Sequence, residues 1–87
     1  MNEREFFYAM GYVKVSPSRT KVLRSLGNSF KMPSEIAKDT DLRITQVSNS
    51  LADLKKEKLV VCLNEHVTKG RLYQCTDLGK EIAKNLK

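Results

Sequence analysis

The sequence predicts a small, mainly α domain that carries a β-hairpin, an α+β class, and three observations predict it. Apolar residues recur at helical spacing in several separate segments. Two of those segments, within residues 33–57, meet at a tight turn. Immediately after them, two runs of β-branched and aromatic residues flank the loop HVTKG. The 87 residues contain no repeat, low-complexity tract or linker, so residues 1–87 read as one domain, with 1–14 as an N-terminal extension.

The N-terminal segment REFFYAMGYVKV admits two readings. Phe6, Met10 and Val13 share one helical face, whereas residues 12–15 suit an extended run and Gly11 weakens a helix. A helix over 3–13 is preferred. In SPSRTKVLRSLG, Ser16 caps a helix with Pro17 at its first position; Val22, Leu23 and Leu26 form the apolar stripe, and Gly27 ends it. The next helix starts at Pro33, places Glu35 in its first turn where the helix dipole favours an acid, turns Ile36 and Ala37 inward and stops near Thr40. The following helix begins at Arg43 or Ile44 and runs to about Glu57. Val47, Leu51 and Leu54 line one face of it, and Gln46, Ser48, Asn49 and Asp53 the other. Residues 59–64 and 71–75 then pair as a hairpin with a loop over 65–70, and Thr76 caps a last helix with Leu78, Ile82 and Leu86 pointing inward. No polar cap precedes Pro33 or stands at position 43, which leaves tertiary packing to hold those helix starts.

Composition excludes several classes. A chain this short buries only about two-thirds of its unfolded surface, which leaves little room for a large catalytic cleft. No apolar run approaches the roughly 20 residues that span a bilayer. The start MNEREFF carries acids where a signal peptide needs a basic and then an apolar stretch, so a cytoplasmic protein is expected. Sixteen Lys and Arg against 10 Asp and Glu give a net charge of +6, which favours polyanionic partners. The excess is spread along the chain, so a basic face has to be assembled by folding. No catalytic triad, phosphate loop or carboxylate pair is legible, and the expectation is a protein that is not an enzyme and has no cofactor.

PSEIAKDTDLRITQVSNSLADLKKEKLV resembles the helix-turn-helix of small archaeal winged-helix transcriptional regulators, similar to the MarR and ArsR groups. RLYQCTDLGKEI resembles their second wing strand and final helix, with Tyr73 as a buried aromatic and Thr76 to Gly79 as the turn into the helix. Together with SPSRTKVLRSL the likeness covers about residues 12–86. It implies a winged helix-turn-helix fold, double-stranded DNA as partner and homodimers. Two positions depart from the pattern: Asp41 and Lys58 stand where the family usually has Gly. Asp accepts a positive φ at modest cost and Lys less readily, so the helix-to-wing corner is expected to be strained or reshaped.

Carried over by position, the resemblance puts a recognition helix at about 43–57 in the major groove. It presents Arg43, Thr45, Gln46, Ser48 and Asn49, whose side chains suit base edges: Gln and Asn pair with adenine, Arg with guanine, and Thr with a base edge or a thymine methyl. Ile44 reads either as core or as a contact to a thymine methyl. The wing, about 65–71, offers Lys69 and Arg71 around Gly70 to phosphates, or Arg71 to a narrow minor groove. A solvated helix face and a solvated hairpin tip are the competing readings, and a winged helix used for protein contacts without DNA is the alternative function. His66 lacks ligand-spaced partners and reads as an exposed loop residue. Cys62 and Cys75 lie near each other on neighbouring strands; no metal site is expected, and two thiols serving as small apolar residues are favoured over a redox pair. Phe6, Phe7, Tyr8 and Met10, with Leu86, are candidates for a dimer interface, or else belong to the monomer core.

Overall fold

The computed structural model describes residues 2–86. Among these the chain runs α1 (Glu3–Lys14), α2 (Pro17–Leu26), β1 (Phe30–Lys31), α3 (Pro33–Thr40), α4 (Ile44–Lys56), β2 (Val60–Cys62), β3 (Tyr73–Cys75) and α5 (Asp77–Lys84). This is the expected winged helix-turn-helix order, with every predicted helix in place. The N-terminal segment is helical through Lys14.

Local chemistry accounts for the helix starts. The side-chain oxygens of Asn2, Ser16 and Thr76 accept from the backbone N–H groups of Glu5, Arg19 and Gly79 at 2.8, 3.3 and 3.1 Å. α3 and α4 lack such caps, as expected, but they are not left to packing alone. Glu35 Oε1 reaches back to the Met32 N–H at 2.9 Å, and Gln46 Oε1 to the Arg43 N–H at 3.0 Å. This is the reciprocal half of a capping box, supplied by the third helical residue.

α2 is the central element and packs against α1, α3, α4 and α5. Its Val22, Leu23 and Leu26 are fully buried with Ile36, Val47, Leu54, Leu59 and Ile82. Leu86 also enters this core, while Phe6 and Met10 lie against it; Phe7 and Tyr8 stay 65% exposed. The N-terminal aromatics therefore divide between core and surface. A polar clasp holds α1, α2 and α4 together. Arg19 bonds Asp53 Oδ2 and the Tyr12 carbonyl, and its guanidinium lies 4.0 Å from the Tyr12 ring centroid.

The sheet differs from expectation in two ways. It has three antiparallel strands ordered β1-β3-β2, because Phe30 and Lys31 pair with Gln74 and Tyr73. The strands of the hairpin are also shorter than 59–64 and 71–75. Regular strand pairing ends at Cys62 and Tyr73; one more backbone bond runs from the Leu63 N–H to the Leu72 carbonyl at 2.7 Å, while the Leu72 N–H turns to the Asn64 side chain at 2.8 Å.

At the end of α4, the Lys58 N–H bonds the Lys55 carbonyl at 3.0 Å and the Leu59 N–H bonds the Leu54 carbonyl at 2.9 Å. These paired bonds form a Schellman motif, which requires a left-handed residue at position 58. Lys58 adopts φ 61, so the corner keeps its shape and the lysine carries the strain. Asp41 does the same between α3 and α4 at φ 60. The first turn of α5 then closes on the corner: Thr76 Oγ1 donates to the Lys58 carbonyl at 2.7 Å, and its N–H donates to the Leu59 carbonyl at 3.0 Å. Gly79 lies so near that a Cβ there would sit 1.9 Å from the Leu59 carbonyl oxygen.

Two substitutions at this corner should move stability in opposite directions. Gly79→Ala is expected to lose about 3 kcal/mol, since a backbone oxygen cannot step aside as a flexible side chain would. Lys58→Gly is expected to gain about 0.5–1 kcal/mol, the relief of αL strain less the entropy of the freer unfolded chain. Chemical denaturation of both variants measures the two effects; a Gly79→Ala protein as stable as wild type would refute the close approach.

Candidate nucleic-acid interface

α3, the turn at Asp41 and α4 form the helix-turn-helix. The inner face of α4 is fixed by Val47, Leu51 and Leu54, all at most 1% exposed, with Ser50 beside them. That burial sets the helix rotation and turns Arg43, Ile44, Thr45, Gln46, Ser48 and Asn49 to the exposed surface. All five helix residues expected from the sequence are thus exposed over the first turns. The centre of this exposed surface carries no charge: Arg43 stands at one end, and Lys55 and Lys56 at the other.

Gln46 occupies a double position. Its carboxamide oxygen caps the Arg43 N–H at 3.0 Å and keeps one further lone pair, while its NH2 group makes no hydrogen bond among the described residues. A two-point contact to adenine is therefore confined to the orientation that the cap sets. Asn49 has no such commitment among the hydrogen bonds of the described residues.

The loop between β2 and β3 is organised by its own side chains. Asn64 accepts from the Leu72 N–H and donates to the Gly70 carbonyl at 3.1 Å. Arg71 folds back, with Nε donating to the Val67 carbonyl at 2.7 Å and Nη2 to the Glu65 carbonyl at 3.2 Å. Gly70 takes φ 72, a left-handed conformation that suits glycine. Lys69 and His66 are exposed at the tip, whereas Arg71 is half-buried. The structure therefore brings Lys69 to the surface and gives Arg71 a role in shaping the loop.

An ion pair joins the two parts of the surface. Lys55 of α4 bonds Glu65 of the loop, which raises the lysine pKa and lowers that of the carboxyl. The groups are exposed, so the pair orients the wing more than it stabilises the fold. A second exposed pair, Lys31 with Asp39, ties β1 to α3 and lowers the Asp39 pKa.

Sequence reading missed Asn64, Glu65 and the capping use of Gln46. Asn at the mouth of a hairpin loop and Gln at the third helical position were the available signals. Cys62 and Cys75 are free thiols on neighbouring strands, but they are diagonal rather than opposed, since Cys62 faces Tyr73 and Cys75 faces Val60. Burial pushes the Cys75 thiol up to about 11, which suppresses its thiolate. Among the described residues no cluster of three His, Cys, Asp or Glu side chains is placed to hold a metal ion. No helix among them is long and apolar enough to cross a membrane.

No family model matches the chain, and no curated protein resembles it in sequence. Solved structures do resemble it in fold. TubR from Bacillus thuringiensis serovar israelensis, in a structure bound to 24 bp of tubC, aligns with a TM-score of 0.77 at 16% identity, over 97% of this chain and 90% of its own. A MarR family transcriptional regulator from Silicibacter pomeroyi aligns at 0.72 and 17% identity over 97% of this chain, which spans 62% of that protein. Reduced HlyU from Vibrio cholerae aligns at 0.66 and 18% identity, over 97% and 92% of the two chains. At these identities the likeness establishes the fold.

If Asn64 is what closes the wing loop, Asn64→Ala should speed amide exchange at Leu72 by about five- to tenfold, the worth of one hydrogen bond. Amides in α2 should keep their protection. Exchange followed by NMR reads both, and unchanged protection at Leu72 would assign the loop's order to other contacts.

Proposed function

We propose that this chain is a sequence-specific, double-stranded DNA-binding transcriptional regulator acting in the cytoplasm. The observation that carries the reading is the joint placement of an exposed, uncharged polar helix surface and a basic wing tip on one small fold. The TubR structure, bound to 24 bp of tubC, adds support through its shared fold over nearly the whole of both chains.

In this reading α4 enters the major groove. Asn49 is the main polar reader, Thr45 and Ser48 bond base edges or adjacent phosphates, and Arg43 takes guanine or the backbone at the groove's edge. Gln46 contributes its free NH2 group while its oxygen holds the helix start. Lys69 neutralises a phosphate. Arg71 contributes its charge and its remaining donors to the backbone or a narrow minor groove. Function is occupancy: a protein bound at an operator blocks or assists polymerase without chemistry of its own.

A homodimer completes the proposal. One module of this size reads a short stretch of groove, and two related by a two-fold axis read half-sites one helical turn apart. The exposed Phe7 and Tyr8 on α1 are the surface offered for that contact, while Leu86, Phe6 and Met10 already serve the monomer. Sedimentation across a wide concentration range should show a monomer–dimer equilibrium shifted to monomer by Phe7→Ser with Tyr8→Ser. A wild-type monomer at every concentration, with and without DNA, removes the two-half-site arrangement.

Base reading and backbone positioning obey different physics, and titrations at several salt concentrations separate them. Asn49→Ala should lose about 1–3 kcal/mol at a selected site, relax base preference there and leave random duplex binding nearly unchanged. Lys69→Ala should weaken selected and random duplexes alike and reduce the salt slope by about one. Salt-independent wild-type binding, or folded variants all indistinguishable from wild type, would transfer the function to protein partners.

A further inference from the structure

The geometry points to Ile44 as a reader of the thymine 5-methyl group, which makes methyl-group recognition a determinant of the site this chain selects. The inference rests on the DNA reading above and sharpens it. Ile44 is the first residue of α4 and is 49% exposed, the one large hydrophobic residue of the helix-turn-helix left so open among those described. The core does not need it, because Val47, Leu51 and Leu54 fill the inner face completely.

Nor does helix formation favour it. A β-branched residue at an exposed helical position is a poorer choice than Ala or a long polar side chain, so neither packing nor propensity explains an isoleucine here. Its neighbours do suit a close approach to a groove floor. One turn on from Ile44 lies Ser48 and two turns on lies Ala52, both exposed and both small, so the row carries no long side chain or charge before Lys56 at the far end of the helix.

The commitment of Gln46 strengthens the case. With its oxygen on the Arg43 N–H, Gln46 is held in the capping orientation, and Asn49 is the carboxamide of this surface without an internal hydrogen bond among the described residues. In the major groove the apolar mark of an A·T pair, beside its hydrogen-bonding groups, is the thymine methyl, which an exposed aliphatic side chain buries and a polar one does not.

Replacing thymine by deoxyuridine removes that methyl and leaves every hydrogen-bonding group in place. A duplex selected by the wild-type protein from a random pool is therefore made with each thymine substituted in turn, and binding is followed by fluorescence anisotropy. At one or more positions per bound site, the substitution should weaken wild-type binding about fourfold, the value of one buried methyl group. Ile44→Ala should bind the selected duplex with a similar loss and no longer distinguish its thymine and uracil forms. Ile44→Val, which keeps the branch, should retain a measurable preference. Folding is not at risk, since Ala at an exposed helical site is the better helix former, and circular dichroism verifies it.

A selected duplex bound with no thymine-sensitive position, or a sensitivity that survives Ile44→Ala, overturns the assignment and leaves the DNA reading standing. A wild-type protein that selects no duplex at all overturns both.

Discussion

The contact between the first turn of α5 and the Lys58–Leu59 corner is the constraint on which the remaining geometry depends. Three elements converge there: α4 ends, β2 begins and α5 starts. Thr76 binds both corner carbonyls, and the missing side chain at Gly79 lets the helix backbone sit against the Leu59 oxygen. Backbone-to-backbone closeness of this kind leaves no slack of the sort a flexible side chain would absorb. The direction in which the sheet leaves α4 is fixed by it, and with it the separation between the α4 surface and the wing tip.

Lys58 shows how firmly that corner is specified. A non-glycine residue with a positive φ persists only where surrounding contacts outweigh its strain. Here the Schellman bonds on one side and the Thr76 hydroxyl on the other supply them. The wing is a second locally specified unit, built around Asn64 and Arg71, and the Lys55–Glu65 pair links it to the helix. Charge lies mostly at the margins of the candidate surface, and the centre is left to small, polar and aliphatic groups. Such a division suits a surface whose ends hold a polyanion while its middle discriminates.

Elements whose information is local were legible in the sequence. Ser16-Pro17 and Gly27 bracket a helix because capping and backbone freedom act over a few residues, and Val47, Leu51 and Leu54 announce a buried face by spacing alone. β1 was not legible. Two residues hold no periodicity, and Phe30 and Lys31 become a strand only because β3 is there to pair with them. The outward turn of Arg43, Thr45, Gln46, Ser48 and Asn49 followed from the same spacing, whereas the side-chain commitments of Gln46 and Arg71 did not. Both residue types serve equally as base readers, caps and loop braces, and only three-dimensional context decides among these uses. The split of the N-terminal aromatics is of the same kind: Phe6 and Phe7 are adjacent in sequence, and the helix turns them to different environments.

The three-stranded sheet also determines the order in which the molecule can assemble. β2 and β3 are joined by a single loop, whereas β1 meets β3 across nearly half of the chain, with the whole helix-turn-helix between them. Loop-closure entropy therefore weighs least on the helix pair and the hairpin and most on the pairing of Phe30 and Lys31 with Gln74 and Tyr73. That two-residue seam offers few hydrogen bonds in return. Thermal opening should start there, releasing one edge of the wing platform while α2, α3 and α4 keep their shared core. Local order in the helix-turn-helix thus outlasts the β1 edge of the sheet beside it, and the tip that reaches outward stays on the β2–β3 hairpin after that edge has opened.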